Sequence, residues 1–189
     1  MTEAPAGVAA SGNIDVKSLL ENAANGDVEA FGELYGIFLE RIFRYAYYLL
    51  GDRMLAEDVT EEVFLKAWKA IKSCKGREQT FVAWLYRIAH NQAIDVIRKR
   101  KKHLSLEMEA VGNIGDSAPD TAQKIEIKAE YQELIKAIAR LPELQRQVVV
   151  LKFIEGMENS EIGRIMGKSQ GAVRILQMRA LTTIRQQRR

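Results

Sequence analysis

The sequence predicts an all-α protein of two small helical domains joined by a flexible linker, and three observations carry that prediction. Apolar residues recur every three or four positions through most of the chain, the spacing of one buried helix face. No Asn-Gly or Asp-Gly pair joins two alternating apolar runs, so the signal of a β-hairpin is missing. Finally, Val111-Gly-Asn-Ile-Gly-Asp-Ser-Ala-Pro-Asp120 gathers turn formers without periodicity and divides the chain. The expected layout is a mobile tail at 1–13, a first domain at 14–103, a linker at 104–121 and a second domain at 122–189.

In the first domain helices are expected at about 15–25, 28–50, 54–72 and 80–102. Phe31, Leu34, Tyr35, Phe38, Ile42, Tyr45 and Leu49 keep helical spacing through the second, and Gly51-Asp52 stops it. Ala56, Val59, Val63, Ala67 and Ala70 form the stripe of the third, with Phe64 and Trp68 beside it. In the fourth, Phe81, Leu85, Ile88, Gln92 and Val96 share a face. The second domain reads as helices at about 122–140, 143–154, 159–166 and 170–187. Val148-Val-Val150 looks like a strand in isolation. However, Leu144, Val148 and Leu151 recur at helical intervals, Pro142 suits a first turn and Gly156 closes the segment.

Composition bounds the function. With 47% hydrophobic and 28% charged residues among 189, the chain is that of a soluble globular protein. Its one cysteine, Cys74, excludes an internal disulfide and a cysteine-based zinc site. The start lacks the basic and apolar regions of a signal peptide, and the longest purely apolar run, Tyr45–Leu50, is far below the roughly 20 residues of a membrane span. A cytoplasmic protein is expected. The net charge of +3 conceals alternating blocks: −8 over 1–62, +9 over 63–103, −5 over 104–161 and +7 over 162–189. The last block contains no acid, which is the footprint of a nucleic-acid partner.

That block also has the layout of a helix-turn-helix. Ile162, Ile165 and Met166 mark a short support helix, Gly167-Lys-Ser169 a tight turn, and Val173, Leu176, Ala180 and Ile184 the buried stripe of a recognition helix. Small Gly163 is expected to let the two helices cross closely. Ser169 is a suitable N-cap, and its amide with that of Gln170 suits a phosphate. Gln170, Arg174, Met178 and Arg179 face away from the stripe, where Arg can pair with guanine and Gln with adenine. The bland alternative is a helical hairpin with a solvated basic face.

The helix at 80–102 carries Arg87, Asn91, Ile94 and Arg98 on one stripe and ends in five consecutive cations, Arg98–Lys102. Cations beside aromatic groups suit single-stranded or opening DNA, on which bases stack. Phe81 is expected in the core, while Trp84 fits either core or DNA. On the preceding helix Asp58, Glu61 and Glu62 place three carboxylates on one surface. His90 and His103 lack the spacing that would complete a di-metal site, so no metal and no cofactor is expected. A solvated face or an acidic docking patch remains. No P-loop, nucleophile elbow or catalytic dyad is present, so no catalytic residue is assigned.

Three ordered motifs resemble the extracytoplasmic-function (ECF) sigma factors of the bacterial sigma-70 family. These are Ala56-Glu-Asp-Val-Thr-Glu-Glu-Val-Phe-Leu-Lys-Ala-Trp68, Phe81-Val-Ala-Trp-Leu-Tyr-Arg-Ile-Ala-His-Asn91, and Leu141-Pro-Glu-Leu-Gln-Arg-Gln-Val-Val-Val-Leu151 followed by the helix-turn-helix. The likeness covers about residues 26–103 and 124–187. It implies a subunit that directs core RNA polymerase to promoter DNA through sigma region 2 and sigma region 4, often under control of an anti-sigma factor held between them. Asp58 and Glu62 match positions that dock on the β′ clamp helices, and Glu61 stands where the family more often has Gln. The resemblance makes Ser73–Thr80 a loop that receives a base flipped from the −10 element, with Lys75, Gly76 and Arg77 cradling the strand and Asn91 lining the pocket. It places residues 170–179 at the −35 element and the opposite side near the β flap. Lys168, Gln170, Arg174 and Arg179 are the contacts it leaves available, because Ile175 and Leu176 replace a common Ser-Arg pair. The alternatives are a stand-alone helix-turn-helix repressor or activator and a helical metal enzyme using Asp58, Glu61 and Glu62.

Overall fold

The computed structural model describes residues 15–74, 80–110 and 135–187, and every regular element among them is helical. Four helices build the first half: α1 (Val16–Ala24), α2 (Val28–Leu50), α3 (Arg53–Ala70) and α4 (Phe81–Ala110), with a 3-10 turn at Ile71–Cys74. After a helical stretch at 135–139, the second half contains α5 (Glu143–Val149), a π turn (Val150–Ile154), α6 (Asn159–Met166) and α7 (Gln170–Gln187).

Short polar side chains start the helices where the sequence places them. Asp15 accepts the Lys17 amide at 3.1 Å, Asp27 that of Ala30 at 3.0 Å, and Asp52 that of Leu55 at 3.1 Å. Gly51 ends α2 in the left-handed conformation at φ 67°, a position that favours glycine. The buried line of α2, Leu34, Phe38, Ile42, Tyr45 and Leu49, packs among Ala56, Val59 and Val63 of α3 and Leu85, Tyr86 and Ala89 of α4. Phe38–Phe81 and Tyr45–Tyr86 meet edge to face with ring centroids 5.7 and 5.4 Å apart, which places Phe81 in the core as expected.

Three elements differ from the sequence reading. The third helix tightens into a 3-10 turn after Ala70. α4 continues to Ala110, eight residues past the expected end, because Leu104–Ala110 contains good helix formers and no breaker before Gly112. α5 starts at Glu143 as expected, with Pro142 as its N-cap, but it widens into the π turn instead of continuing as an α-helix to 154. Of the helix expected at 122–140, residues 135–140 are described and 135–139 are helical; of the linker expected at 104–121, residues 104–110 are the end of α4 and 111–121 lie outside the described residues.

The two halves share one hydrophobic core. α6 packs on α4, and the π turn packs on α2. Directly after that turn comes Glu155, whose side chain is fully buried. Arg44 grips both its carboxylate oxygens, Nε at 3.0 Å and Nη2 at 3.1 Å; Arg41 lies 3.6 Å away, and the Tyr86 hydroxyl donates to Oε2. Arg146 crosses in the other direction, donating to the Leu49 carbonyl at 2.9 Å, one of the carbonyls left open at the end of α2. It also donates to Ala139 at 2.8 Å, while its Nε is buried without a partner. Burial pulls the Arg146 guanidinium below its ordinary pKa, opposed by Glu143. Lys101 and Glu143 add an exposed pair at 2.6 Å.

Removing the charge of Glu155 leaves two guanidiniums facing a neutral amide. Glu155→Gln is expected to cost on the order of 2 kcal/mol, below the ~3–5 of a fully buried pair, because Arg44 and Arg41 are each more than a third exposed. It should raise the radius of gyration in small-angle scattering while leaving helicity unchanged. An unaltered radius with unaltered stability would show that the apolar contacts alone hold the halves together.

Candidate functional site

The functional side chains fall on three surfaces. On α3, Asp58 and Glu61 are exposed and Glu62 is half-buried. Glu62 pairs with Lys66 at 3.4 Å, and Lys66 also donates to Gln92 of α4 at 2.7 Å. Glu61 instead overlooks α2, where two open hollows meet. One is lined by Tyr35, Leu39, Phe43, Arg53 and Glu57, the other by Val28, Phe31, Phe64, Leu65 and Trp68; Glu61 and Tyr35 line both. Of the three acids, Glu61 therefore borders an apolar, aromatic surface, while Asp58 and Glu62 line neither hollow. Those aromatic and aliphatic groups were not singled out from the sequence as a site. Their signal was an α2 whose apolar residues, Phe31, Tyr35, Leu39 and Phe43 beside the core line, cover more of the helix than one core can bury. Among the described residues no group of His, Cys, Asp and Glu is gathered to hold a metal ion.

On α4 the structure brings Arg87 and Asn91 to the surface one helical turn apart, with Arg98 exposed further along. Ile94, expected on the same stripe, is buried. Trp84 is half-buried with its ring 5.7 Å from that of Phe81, so it serves the core and still shows an edge. The basic run is partly engaged: Arg98 lies 3.9 Å from Asp95, Arg100 is 3.2 Å from Asp52 and Lys101 holds Glu143. Lys75, Gly76 and Arg77 lie outside the described residues, as does most of the loop Ser73–Thr80. Ser73 at its start donates to the Ala70 carbonyl, and Cys74 is buried.

Beneath this surface His90 is buried, its Nδ1 3.1 Å from the Tyr45 hydroxyl. Burial is the main cause that lowers its pKa to about 4; Arg87, Arg98 and Lys168 push the same way and Glu143 opposes them. Burial likewise pushes the Tyr45 and Tyr86 hydroxyls well above their ordinary range, so both remain protonated donors.

The third surface is the helix-turn-helix of α6 and α7. A capping box between Glu158 and Glu161 opens α6, and Gly167 closes it in the left-handed conformation at φ 63°. Ser169 caps α7 by accepting the Ala172 amide at 3.2 Å. Gln177 donates to Asn159 at 2.7 Å and ties the two helices together, while Val173 and Ala180 are fully buried. Gly163 serves a different purpose from the expected helix crossing: a Cβ there would lie 2.6 Å from the Lys168 carbonyl oxygen, so glycine makes room for the turn itself. Gln170, Arg174 and Arg179 are exposed on the open side of α7. Lys168 is the exception: it is half-buried, and its charge is felt by His90 of α4.

Known proteins share this arrangement. Sigma-70 region 2 matches residues 34–103, and sigma-70 region 4 matches residues 131–184. The ECF RNA polymerase sigma factor SigW of Bacillus subtilis is 31% identical over 185 residues, covering 92% of this chain and 97% of SigW. BldN of Streptomyces coelicolor, also an ECF RNA polymerase sigma factor, is 34% identical over 169 residues, 88% of this chain, and this match spans 63% of BldN. Among solved structures, CnrH in complex with the cytosolic domain of CnrY superposes with a TM-score of 0.68 at 25% identity, covering 90% of this chain and 95% of that one. The sigma factor RpoE of Bartonella quintana, solved with the anti-sigma factor NepR, shares the fold at 22% identity and a TM-score of 0.64, covering 84% of this chain and 96% of that one.

The buried histidine predicts a pH response. Its folded pKa lies below the ordinary 6.5, so below that value the unfolded chain takes up a proton that the folded chain refuses. Stability should be full above pH 6.5 and fall progressively toward pH 4, with a loss on the order of 2 kcal/mol between pH 7 and pH 5. Urea unfolding at the two values measures it. Replacing His90 with Gln should flatten the difference, and an unchanged slope would assign the loss to other groups.

Proposed function

The chain belongs to the ECF group of the sigma-70 family, and from that premise we propose that it is the promoter-specificity subunit of a bacterial RNA polymerase. It acts in the cytoplasm as a binding protein without chemistry of its own. The acidic and aromatic face of α2 and α3, with Asp58, Glu61 and Glu62, docks on the β′ clamp helices of core polymerase. Trp84, Arg87, Asn91 and Arg98 of α4, with Lys75, Gly76 and Arg77, engage the opening −10 strand. Ser169, Gln170, Arg174 and Arg179 read the −35 element in the major groove, Lys168 follows once the halves part, and the far side of this domain meets the β flap. An anti-sigma factor is the expected inhibitor, as in the solved complex of RpoE with NepR.

One observation carries this reading: an acidic, apolar docking face and two cationic helices occupy separate elements of one small chain. A stand-alone repressor needs the cations but not the docking face. The state described here is closed. The −35 and −10 elements are named for positions about 25 base pairs apart, roughly 85 Å at ~3.4 Å per base pair. α6 rests directly on α4, and packed helices lie only ~8–10 Å apart. Promoter binding therefore requires the halves to separate, and the Glu155 cluster is what separation must break.

Run-off transcription with bacterial core polymerase and promoter DNA tests the proposal. Specific transcripts are expected only when the protein is added. Their absence, together with tight binding of a palindromic duplex by the protein alone, would favour the repressor. Asp58→Arg should abolish core binding without loss of helicity, since Asp58 is exposed and has no ion-pair or hydrogen-bond partner among the described residues.

A division of labour follows from the two cationic helices. Arg174→Ala should weaken duplex −35 binding by roughly 5- to 150-fold, the ~1–3 kcal/mol of one base contact. Asn91→Ala should spare that binding and slow opening, read by permanganate reactivity of unpaired thymines. Equal effects of both variants on both steps would refute the assignment.

A further inference from the structure

The outward side of α7 is not uniformly polar. At about 100° per residue, the direction opposite buried Val173 is held within roughly 40° by Gly171, Ile175 and Met178 in the N-terminal half of α7 and by Thr182 and Gln186 beyond them. Ile175 is 48% exposed and Met178 63%. Leu176 and Ile184 pack against the core, whereas Ile175 and Met178 do not. Arg174 and Arg179 flank this line on either side, both exposed and without a carboxylate partner among the described residues. Between Gly171 and Met178 the outermost line of the helix thus offers no hydrogen-bonding side chain, although cations border it; Thr182 and Gln186 continue the line toward the C-terminus.

Gly171 is not required by the protein's own packing. A Cβ there would meet only the Ser169 Oγ at 3.9 Å, an ordinary contact, and its backbone is not in the left-handed region. Alanine would favour the helix at that position. The missing side chain leaves space outside the protein, in the first turn, where a recognition helix comes closest to the groove floor.

The charge selects the occupant. The block at 162–189 carries seven basic residues and no acid, so the partner of this face is polyanionic. In the major groove of DNA the thymine C5 methyl is the one alkyl group at the base edges; the other positions carry hydrogen-bonding groups or a bare C–H. We infer that Ile175 is a specificity residue that reads a thymine methyl, with Gly171 admitting the base edge and Arg174 and Arg179 fixing the register on either side. This rests on the reading of α7 as the helix that enters the −35 element. It supplies the recognition chemistry at the position where the Ser-Arg pair common in the family is replaced by Ile175-Leu176.

The test uses the full-length chain, alone and with core polymerase, to select duplexes from a library randomised over 12 base pairs. Each thymine of the selected duplex is then replaced singly by deoxyuridine, which lacks only the methyl. At one position binding should weaken about fourfold, corresponding to ~0.8 kcal/mol for one buried methyl-sized group. Ile175→Ala should bind the parent duplex about as weakly and become insensitive to that replacement. Deoxyuridine without effect at every position overturns the inference and leaves the sigma-factor reading intact. A sensitivity that persists in Ile175→Ala assigns the methyl to another residue and overturns it equally. If Ile175→Ala weakens core polymerase binding but no duplex, the apolar line is a protein contact and the inference fails. Selection of no duplex under either condition would refute the DNA-reading role of α7 itself. The wild-type arm decides the matter even if the variant misfolds.

Discussion

The arrangement depends on a single carboxylate. Glu155 is the one acidic side chain among the described residues buried in the shared core, and it is satisfied by groups from the other half of the chain: Arg44 and Arg41 of α2 and Tyr86 of α4. A buried acid without such partners would cost several kcal/mol, so Glu155 fits only when the two halves are correctly registered. Apolar contact between α6 and α4 is tolerant of small slides, whereas a bidentate guanidinium grip is not. The apolar surface supplies the attraction, and Glu155 selects the geometry.

This explains what could and could not be read from residues alone. Helix positions were legible because they follow from local physics: Ser169 caps, Gly51 and Gly167 terminate, and the apolar spacing of α2 names its buried line. The helix-turn-helix was legible for the same reason. Glu155 was not. In the sequence it is an acid beside Gly156 at a helix end, indistinguishable from a solvated one, and its partners stand 69 and 111 positions away. The π turn that precedes it satisfies the same apolar pattern as an α-helix and leaves no separate mark. The hollows beside Glu61 were half legible: the breadth of apolar surface on α2 was visible, but not that α3 would leave it uncovered.

The charge blocks gain a second meaning from the closed state. Acids of the −5 block are not spread idly: Glu143 takes Lys101 of the basic run, and Glu155 takes Arg44 and Arg41. From the −8 block, Asp52 both caps α3 and holds Arg100. Several cations of the first half are thus occupied by carboxylates, and two of those carboxylates, Glu143 and Glu155, belong to the other half. Alternation of charge along the chain becomes complementarity between its parts when it folds back on itself.

That complementarity also sets the energetic terms of opening. The exposed pairs Lys101–Glu143 and Arg100–Asp52 are each worth ~0–1 kcal/mol and weaken with salt, so a phosphate chain displaces them readily. The Glu155 cluster is different, because its carboxylate is shielded from solvent and screening reaches it poorly. Salt or DNA alone acts on the first kind of contact and leaves the second in place. The groups that hold Glu155 lie on α2 and α4, and α2 also forms the aromatic side of the docking face through Tyr35, Leu39 and Phe43. A partner seated on that face grips the helix that carries Arg41 and Arg44. On the function proposed above, loss of closure is coupled more directly to engagement of the proposed docking face than to the arrival of DNA at the basic run, an order in which polymerase binds first and promoter reading follows.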